Sequence, residues 1–266
     1  MKVITKYLTI YLKFWKIAFS QGTVYRADTV FLFLAVLLYL VQYYFYFGSI
    51  LKALQTVGGW TLPEYTLLLA TFSMNWGLFK LFYGRTMEDV IDKVFTGQYD
   101  YTLLRPINAK FLSYFCPPLI KSFPSVMFNI ILLVFVINYF SIAIDIWLLF
   151  LYIIYLFIGQ VIIFSFSQIA ISTAFFTNDA NEIYAIFENA WDQASYPGEA
   201  FTKGIFFTLS YVIPIILFAS FPTRVLLGKV SNPVEFLYPI MVSIICIFVS
   251  NKFYKLGIKN YTSAGG

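Results

Sequence analysis

Residues 29–50 read TVFLFLAVLLYLVQYYFYFGSI, a run without a single charged side chain. A helix crossing a hydrocarbon core of about 30 Å needs about 20 apolar residues at about 1.5 Å each, so this stretch predicts a transmembrane span. Working outward, similar runs occupy residues 61–83, 117–138, 145–167 with an apolar extension to Phe176, 205–221, and 234–253. The sequence therefore predicts an all-α membrane protein with six transmembrane helices. Pro214 falls inside the fifth run and predicts a kink or a broken segment there.

Composition gives the same answer. The chain has 266 residues, 60% of them hydrophobic and 12% charged, with a mean hydropathy of +0.78, whereas soluble domains carry about twice that share of charge. Six spans leave no room for a soluble catalytic domain. The absence of histidine excludes imidazole metal sites and His-based acid/base catalysis. Cys116 and Cys246 lie at or inside apolar runs and read as inert buried side chains. The net charge of +5 speaks for membrane orientation rather than nucleic acid, because its distribution is so uneven. Of the 18 lysines and arginines, all except Lys52, Arg224 and Lys229 fall in the termini or in connections assigned to one side. By the positive-inside rule that side is cytoplasmic, so both termini are expected there, in an inner membrane.

Residues 1–28 have too many charges for a signal peptide. On a helix, Lys2, Lys6, Lys13 and Lys16 share one arc. Ile4, Tyr7, Leu8, Tyr11, Phe14, Trp15 and Ala18 lie opposite. This pattern predicts an N-terminal interfacial helix with lysines toward anionic headgroups, ahead of a six-span domain over residues 29–266.

Between the second and third spans, RTMEDVIDKVFTG (residues 85–97) repeats apolar Met87, Val90, Ile91, Val94 and Phe95 at helical spacing. Arg85, Glu88, Asp89, Asp92 and Lys93 form the other face. Asp89 and Lys93 are spaced for an i, i+4 pair, and Gly97 marks the stop. Two readings stand: a helix through which a motor pushes on the membrane domain, or a plain solvated interfacial helix. A similar pattern runs through Ile183, Phe187, Ala190, Trp191 and Ala194, read as a second motor contact or as the end of a long fourth helix. With no G-x-x-x-x-G-K-[ST] phosphate loop, the chain is not expected to hold ATP itself. Polar residues inside the spans are amides and hydroxyls, among them Gln42, Asn75, Asn129, Gln160 and Gln168. They suit either a substrate path or interhelical hydrogen bonds.

Several motifs carry a resemblance: YRADTVFLF at 25–33, GGWTLPEYTLL at 58–68, GQYDYTLLRPIN at 97–108, YPGEAF at 196–201, the Pro214 region, and YKLGIKNYTSAGG at 254–266. With these the chain resembles, nearly end to end, permease subunits of bacterial ATP-binding-cassette (ABC) transporters of the type 2 exporter class, in the six-span branch without a fused ATPase. The resemblance implies a dimeric permease, paired with itself or with a related permease, each half resting a cytoplasmic coupling helix on an ABC ATPase subunit that holds ATP and Mg. It places that coupling helix at about residues 85–97. ATPase contacts would then be Arg85, Glu88, Asp89, Asp92 and Lys93, with Tyr101, Arg105 and Pro106 at the return to the membrane. The class exports amphipathic or hydrophobic compounds. The readings from other classes are a membrane scaffold that transports nothing and an intramembrane lipid enzyme, the latter disfavoured because no acid, base and nucleophile cluster in a span.

Overall fold

The computed structural model describes residues 2–22, 56–115, 117–177 and 179–262, with part of 30–49; side chains at residues 2–4, 21, 22, 85, 87 and 88 are outside the description. The predicted first span, at 29–50, lies largely outside the described residues. Six longer or well-packed helices frame the rest: α1 (Lys2–Gly22), α2 (Leu62–Phe95), α3 (Phe123–Tyr139), α4 (Ile146–Ser172), α5 (Ala180–Trp191) and, after a short α6 (Ser220–Leu226), α7 (Pro233–Asn260). Among the described residues there is no strand, only one isolated bridge between Val57 and Trp60. Three stretches are long and apolar enough to cross a membrane: Ile120–Tyr139, Ile146–Phe175 and Pro233–Asn260. Outward-facing Phe157 and Phe248 are 66% and 71% exposed, which suits lipid and not water.

Local sequence sets the helix ends. Glu64 accepts from the Thr61 backbone N–H at 2.9 Å, one half of a capping box, while Asp145 and Asn232 cap α4 and α7 by accepting from Trp147 and Val234. The predicted separate helix at 85–97 is instead the continuation of α2, which runs 34 residues without a break. Its apolar face turns inward as the spacing predicts, with Val90, Ile91 and Val94 in the main core. Gly97 ends it at φ +70, a backbone that L side chains rarely adopt.

The bundle has two ends. At the Leu62 end, Lys229 pairs with Glu64 and Arg224 with Glu235, near the start of α7. At the other, the Tyr99 end, Tyr99 meets Tyr254 late in α7 and Tyr114 meets Ser172 at the end of α4. These ends correct the reading of residues 177–226. Ala180 packs in the core beside Phe175, whereas Glu199 bonds to Trp60 and Arg224 at the Leu62 end. Residues 180–197 therefore pass from one end to the other. Twelve α-helical and four 3₁₀ residues supply about 26 Å of this. The stretch predicted as the fifth span, 205–221, enters and leaves at the Leu62 end. It comprises a short helix, a π turn at Thr208–Val212, Pro214, a 3₁₀ turn at Ile215–Phe218, and α6 climbing back. Its tip reaches Asn75 and Gly159, each about 20 Å along its helix from the Leu62 end. Lys203, four residues beyond Glu199, thus joins Arg224 and Lys229 on that side, and among the described residues the bias of positive charge toward the Tyr99 end persists.

α1 lies against the Tyr99 end as an amphipathic helix. Tyr7 packs on Phe111, Tyr11 on Phe115, Trp15 on Phe82 and Phe19 on Phe123, while Lys6, Lys13 and Lys16 are exposed.

Candidate functional site

The most protruding feature of the Tyr99 end is the segment after Gly97. A five-residue helix, Tyr99–Leu103, leads into the LLRP turn. Tyr101 is 69% and Leu104 80% exposed, and Arg105 and Pro106 are exposed beside them. Exposed apolar groups flanked by an arginine fit a partner surface better than they fit water. The mount beneath is rigid. The Tyr99 hydroxyl is shared with Ser113 at 3.0 Å and Tyr254 at 2.8 Å, its ring lies edge-on to Phe175 and Tyr261, and burial raises its pKa, so it stays a neutral hydrogen-bonding phenol. Past the turn, Asn108 caps the helix Ala109–Tyr114 by accepting from Phe111 N–H, and its own N–H donates to the Tyr7 hydroxyl of α1 at 3.4 Å. Lys110 donates to Asn251 and lies over the Tyr254 ring; burial and then Lys255 lower its pKa.

Beside this tip, Asp89 and Lys93 form the predicted i, i+4 pair at 3.7 Å, both side chains about two-fifths exposed, and Asp92 is exposed. Tyr101, Arg105 and Pro106 thus share one end of the bundle with Asp89, Asp92 and Lys93. Arg85 and Glu88 lie on the same helix, their side chains outside the description. Sequence reasoning quoted Leu103 and Leu104 within the LLRP motif that carries the resemblance but named only Tyr101, Arg105 and Pro106 as contacts, although an apolar doublet before Arg-Pro in a polar connection was a visible signal.

The span amides sit in the bundle interior. Asn75 donates to the Phe218 carbonyl at 2.7 Å, and Gln160 Nε2 donates to the Asn75 carbonyl and side-chain oxygens at 2.6 and 2.5 Å. Asn129 and Ser73 bond reciprocally across α3 and α2. Gln168 reaches the Ser250 carbonyl. Gln42 is exposed. Asn75, Asn129, Gln160 and Gln168 are therefore interhelical ties, and Asn75 with Gln160 anchors the tip of the re-entrant stretch.

Two charge clusters went unforeseen. At the Leu62 end, Glu199 accepts from Trp60 Nε1 at 2.8 Å and pairs with Arg224, which also pairs with Glu235; Lys229 bonds Glu64 and covers the Trp60 ring. Within the bundle, Lys80 of α2 pairs with Glu188 of α5, which also accepts from the Tyr184 hydroxyl. Their sequence signal was weak, since each pair joins residues more than ten positions apart.

Comparison with known proteins gives one family: residues 37–265 match the family model described as ABC-2 family transporter protein. No curated protein matches the chain.

Proposed function

We propose, from the premise that this chain belongs to the ABC-2 transporter family, that it is the six-span permease subunit of an ATP-driven exporter, moving an amphipathic or hydrophobic solute across the bacterial inner membrane. It works as a dimer, with itself or a related permease. Both termini and the Tyr99 end face the cytoplasm, where the excess of lysine and arginine lies. ATP and Mg are held by a separate ABC ATPase.

The observation that carries this reading is the exposed turn at residues 101–106 on its buried tyrosine mount. A chain without a phosphate loop needs a solid contact through which a motor's movement enters the bundle, and a soft loop would absorb that movement. The end of α2, with Asp89, Asp92 and Lys93, and by its place on the helix Arg85 and Glu88, supplies the polar rim. Tyr101, Leu104, Arg105 and Pro106 supply the centre. An aromatic share of 21% suits amphipathic cargo.

The test is co-purification in mild detergent from the native host. An ATPase subunit carrying the phosphate-loop motif is expected with the wild-type chain. Leu104→Asp with Arg105→Glu, both at exposed positions, should leave expression and insertion unchanged while losing the ATPase. Retention of the ATPase by this variant would move the contact elsewhere. Consistent absence of any ATPase from the wild type would sink the reading.

A further inference from the structure

A cavity of about 400 Å³ lies between α2, the start of α3 and the crossing stretch at 180–197, and its walls include Lys80, Lys121, Ser122, Ser125 and Asp192. It sits where the chain turns into α3. The Leu119 N–H donates to the Leu81 carbonyl at 2.8 Å, and a 3₁₀ turn at Ile120–Ser122 leads into the 17 residues of that helix. Two serines on this wall break the pattern of the rest of the bundle. A serine buried within a helix ordinarily bonds back to the carbonyl three or four residues before it, as Ser165, Ser167 and Ser172 do in α4 and Ser243 and Ser250 in α7. Ser125, only 5% exposed, makes no such bond. Ser122, 7% exposed, is the N-cap residue of α3, a place where a serine oxygen ordinarily accepts from the helix's own N–H groups, and it caps nothing.

Among the described residues neither hydroxyl has a hydrogen-bond partner, yet both side chains are more than nine-tenths buried and line the cavity. A buried hydroxyl left without a partner is costly. The two lie three residues apart on one face of a helical turn, with Cβ atoms about 5–6 Å from each other. Beside them Lys121 is half-buried and has neither an ion pair nor a side-chain hydrogen bond among the described residues. The remaining charges of the cavity answer one another: Lys80 pairs with Glu188, and the charges acting on Asp192 are those of Glu188 and Lys80. One ammonium, two hydroxyl donors and the positive end of the α3 dipole thus share a wall without an acceptor. The complement is an anion with several acceptor oxygens around one centre. A phosphate reaches an ammonium and two separate hydroxyls at once, whereas a halide offers a single point.

We propose that this cavity is a phosphate site, in which Lys121 supplies the charge and the Ser122 and Ser125 hydroxyls donate to the phosphate oxygens. At this end of the bundle the group comes from a lipid headgroup or from free phosphate, which present the same oxygens, and the experiment separates the two sources. Asp192 opposes the anion and limits its affinity. The site belongs to this chain alone and needs neither ATP nor a motor, so its failure in a test leaves the transport reading untouched, and the converse holds.

The experiment uses the full chain in detergent micelles, with bound lipid counted by native mass spectrometry while dioctanoyl-phosphatidylglycerol or phosphate-free dioctanoylglycerol is titrated in. The phosphate lipid is expected to bind at one site per chain, about tenfold or more tighter than dioctanoylglycerol. Lys121→Gln, and separately Ser122→Ala with Ser125→Ala, should each weaken the phosphate lipid about tenfold. Asp192→Asn should instead tighten it about threefold, because it takes a negative charge off the cavity wall, a gain that loss of structure would not produce. Lys13→Gln, at an exposed lysine of α1, should leave binding unchanged. Excess inorganic phosphate at constant ionic strength identifies the source: displacement of the lipid upholds a site filled from solution, and a lipid that stays bound upholds one filled from the bilayer. Equal binding of the two lipids, weaker binding in Asp192→Asn, or an effect of Lys121→Gln no larger than that of Lys13→Gln overturns the proposal.

Discussion

Asn75→Leu should unlatch the re-entrant stretch. The Asn75 amide is the hydrogen-bond partner of the Phe218 carbonyl and the acceptor for Gln160 Nε2, and leucine of similar size removes both roles while leaving the Gln160 bond to the Asn75 backbone carbonyl, which survives as that of residue 75. An interhelical hydrogen bond within a bilayer contributes about 0.6–2 kcal/mol, and a buried carbonyl left without a partner costs about 1–3 kcal/mol. The combined penalty on the seated tip is taken as about 2 kcal/mol, or about 30-fold in the equilibrium between seated and lifted tip. Ser220 is fully buried next to the tip, so Ser220→Cys reports the lifted state through its rate of reaction with a membrane-impermeant maleimide. Cys246 is buried; a background without both native cysteines keeps the signal single. In intact cells, Asn75→Leu should raise the labelling rate about 30-fold at constant expression. An unchanged rate, in a variant that still melts as one cooperative unit, would refute the claim that this amide holds the tip.

Other perturbations follow from the same contacts. Lys80→Met leaves Glu188 without its cation; with both side chains about one-third exposed, 34% and 32%, the loss should be about 1–2 kcal/mol, below that for a fully buried pair, and Lys80→Met with Glu188→Met should restore most of it in a chemical unfolding series. Gly58→Ala meets two obstacles, a φ of +59 and a Cβ only 2.6 Å from the Glu199 carbonyl carbon, and should lower stability by about 2 kcal/mol, seen as a fall in the thermal midpoint. Tyr99→Phe deletes the hydroxyl between Ser113 and Tyr254. A cost of about 1 kcal/mol should appear as faster amide exchange across residues 101–108, with the exchange of α4 unaltered.

Much of the fold was legible because span length and charge bias are blunt physical signals. α3, α4 and α7 fall within a few residues of their predicted runs, and the inward aromatics of α1 were apparent from spacing. The passage through residues 180–197 was not. Glu188 and Asp192 make it read as an aqueous connection, and only the structure reveals that Lys80 on another helix meets Glu188 and that a polar cavity receives Asp192. The reverse holds for 205–221: its hydropathy is that of a span, and hydropathy records the surroundings of a segment without recording whether it turns back. Pro214 signalled the break but not the direction. At the candidate contact, the charged positions at Asp89, Asp92 and Lys93 were visible as one helix face, whereas the prominence of Leu104 depends on the Tyr99 mount, which gathers residues from Tyr7 to Tyr261.

The unbroken run of α2 has a mechanical consequence. At 34 residues the rod is about 51 Å long, and it carries both Asp92, near the proposed motor contact, and Glu64, in the ion pairs at the far end. With no hinge between them, tilting it by about 10° about one end would swing the other through about 9 Å. A stroke delivered at the proposed motor contact would thus tug at the salt links at the opposite end of the bundle at once, so that the two ends would be geared together and not moved in turn by separate signals.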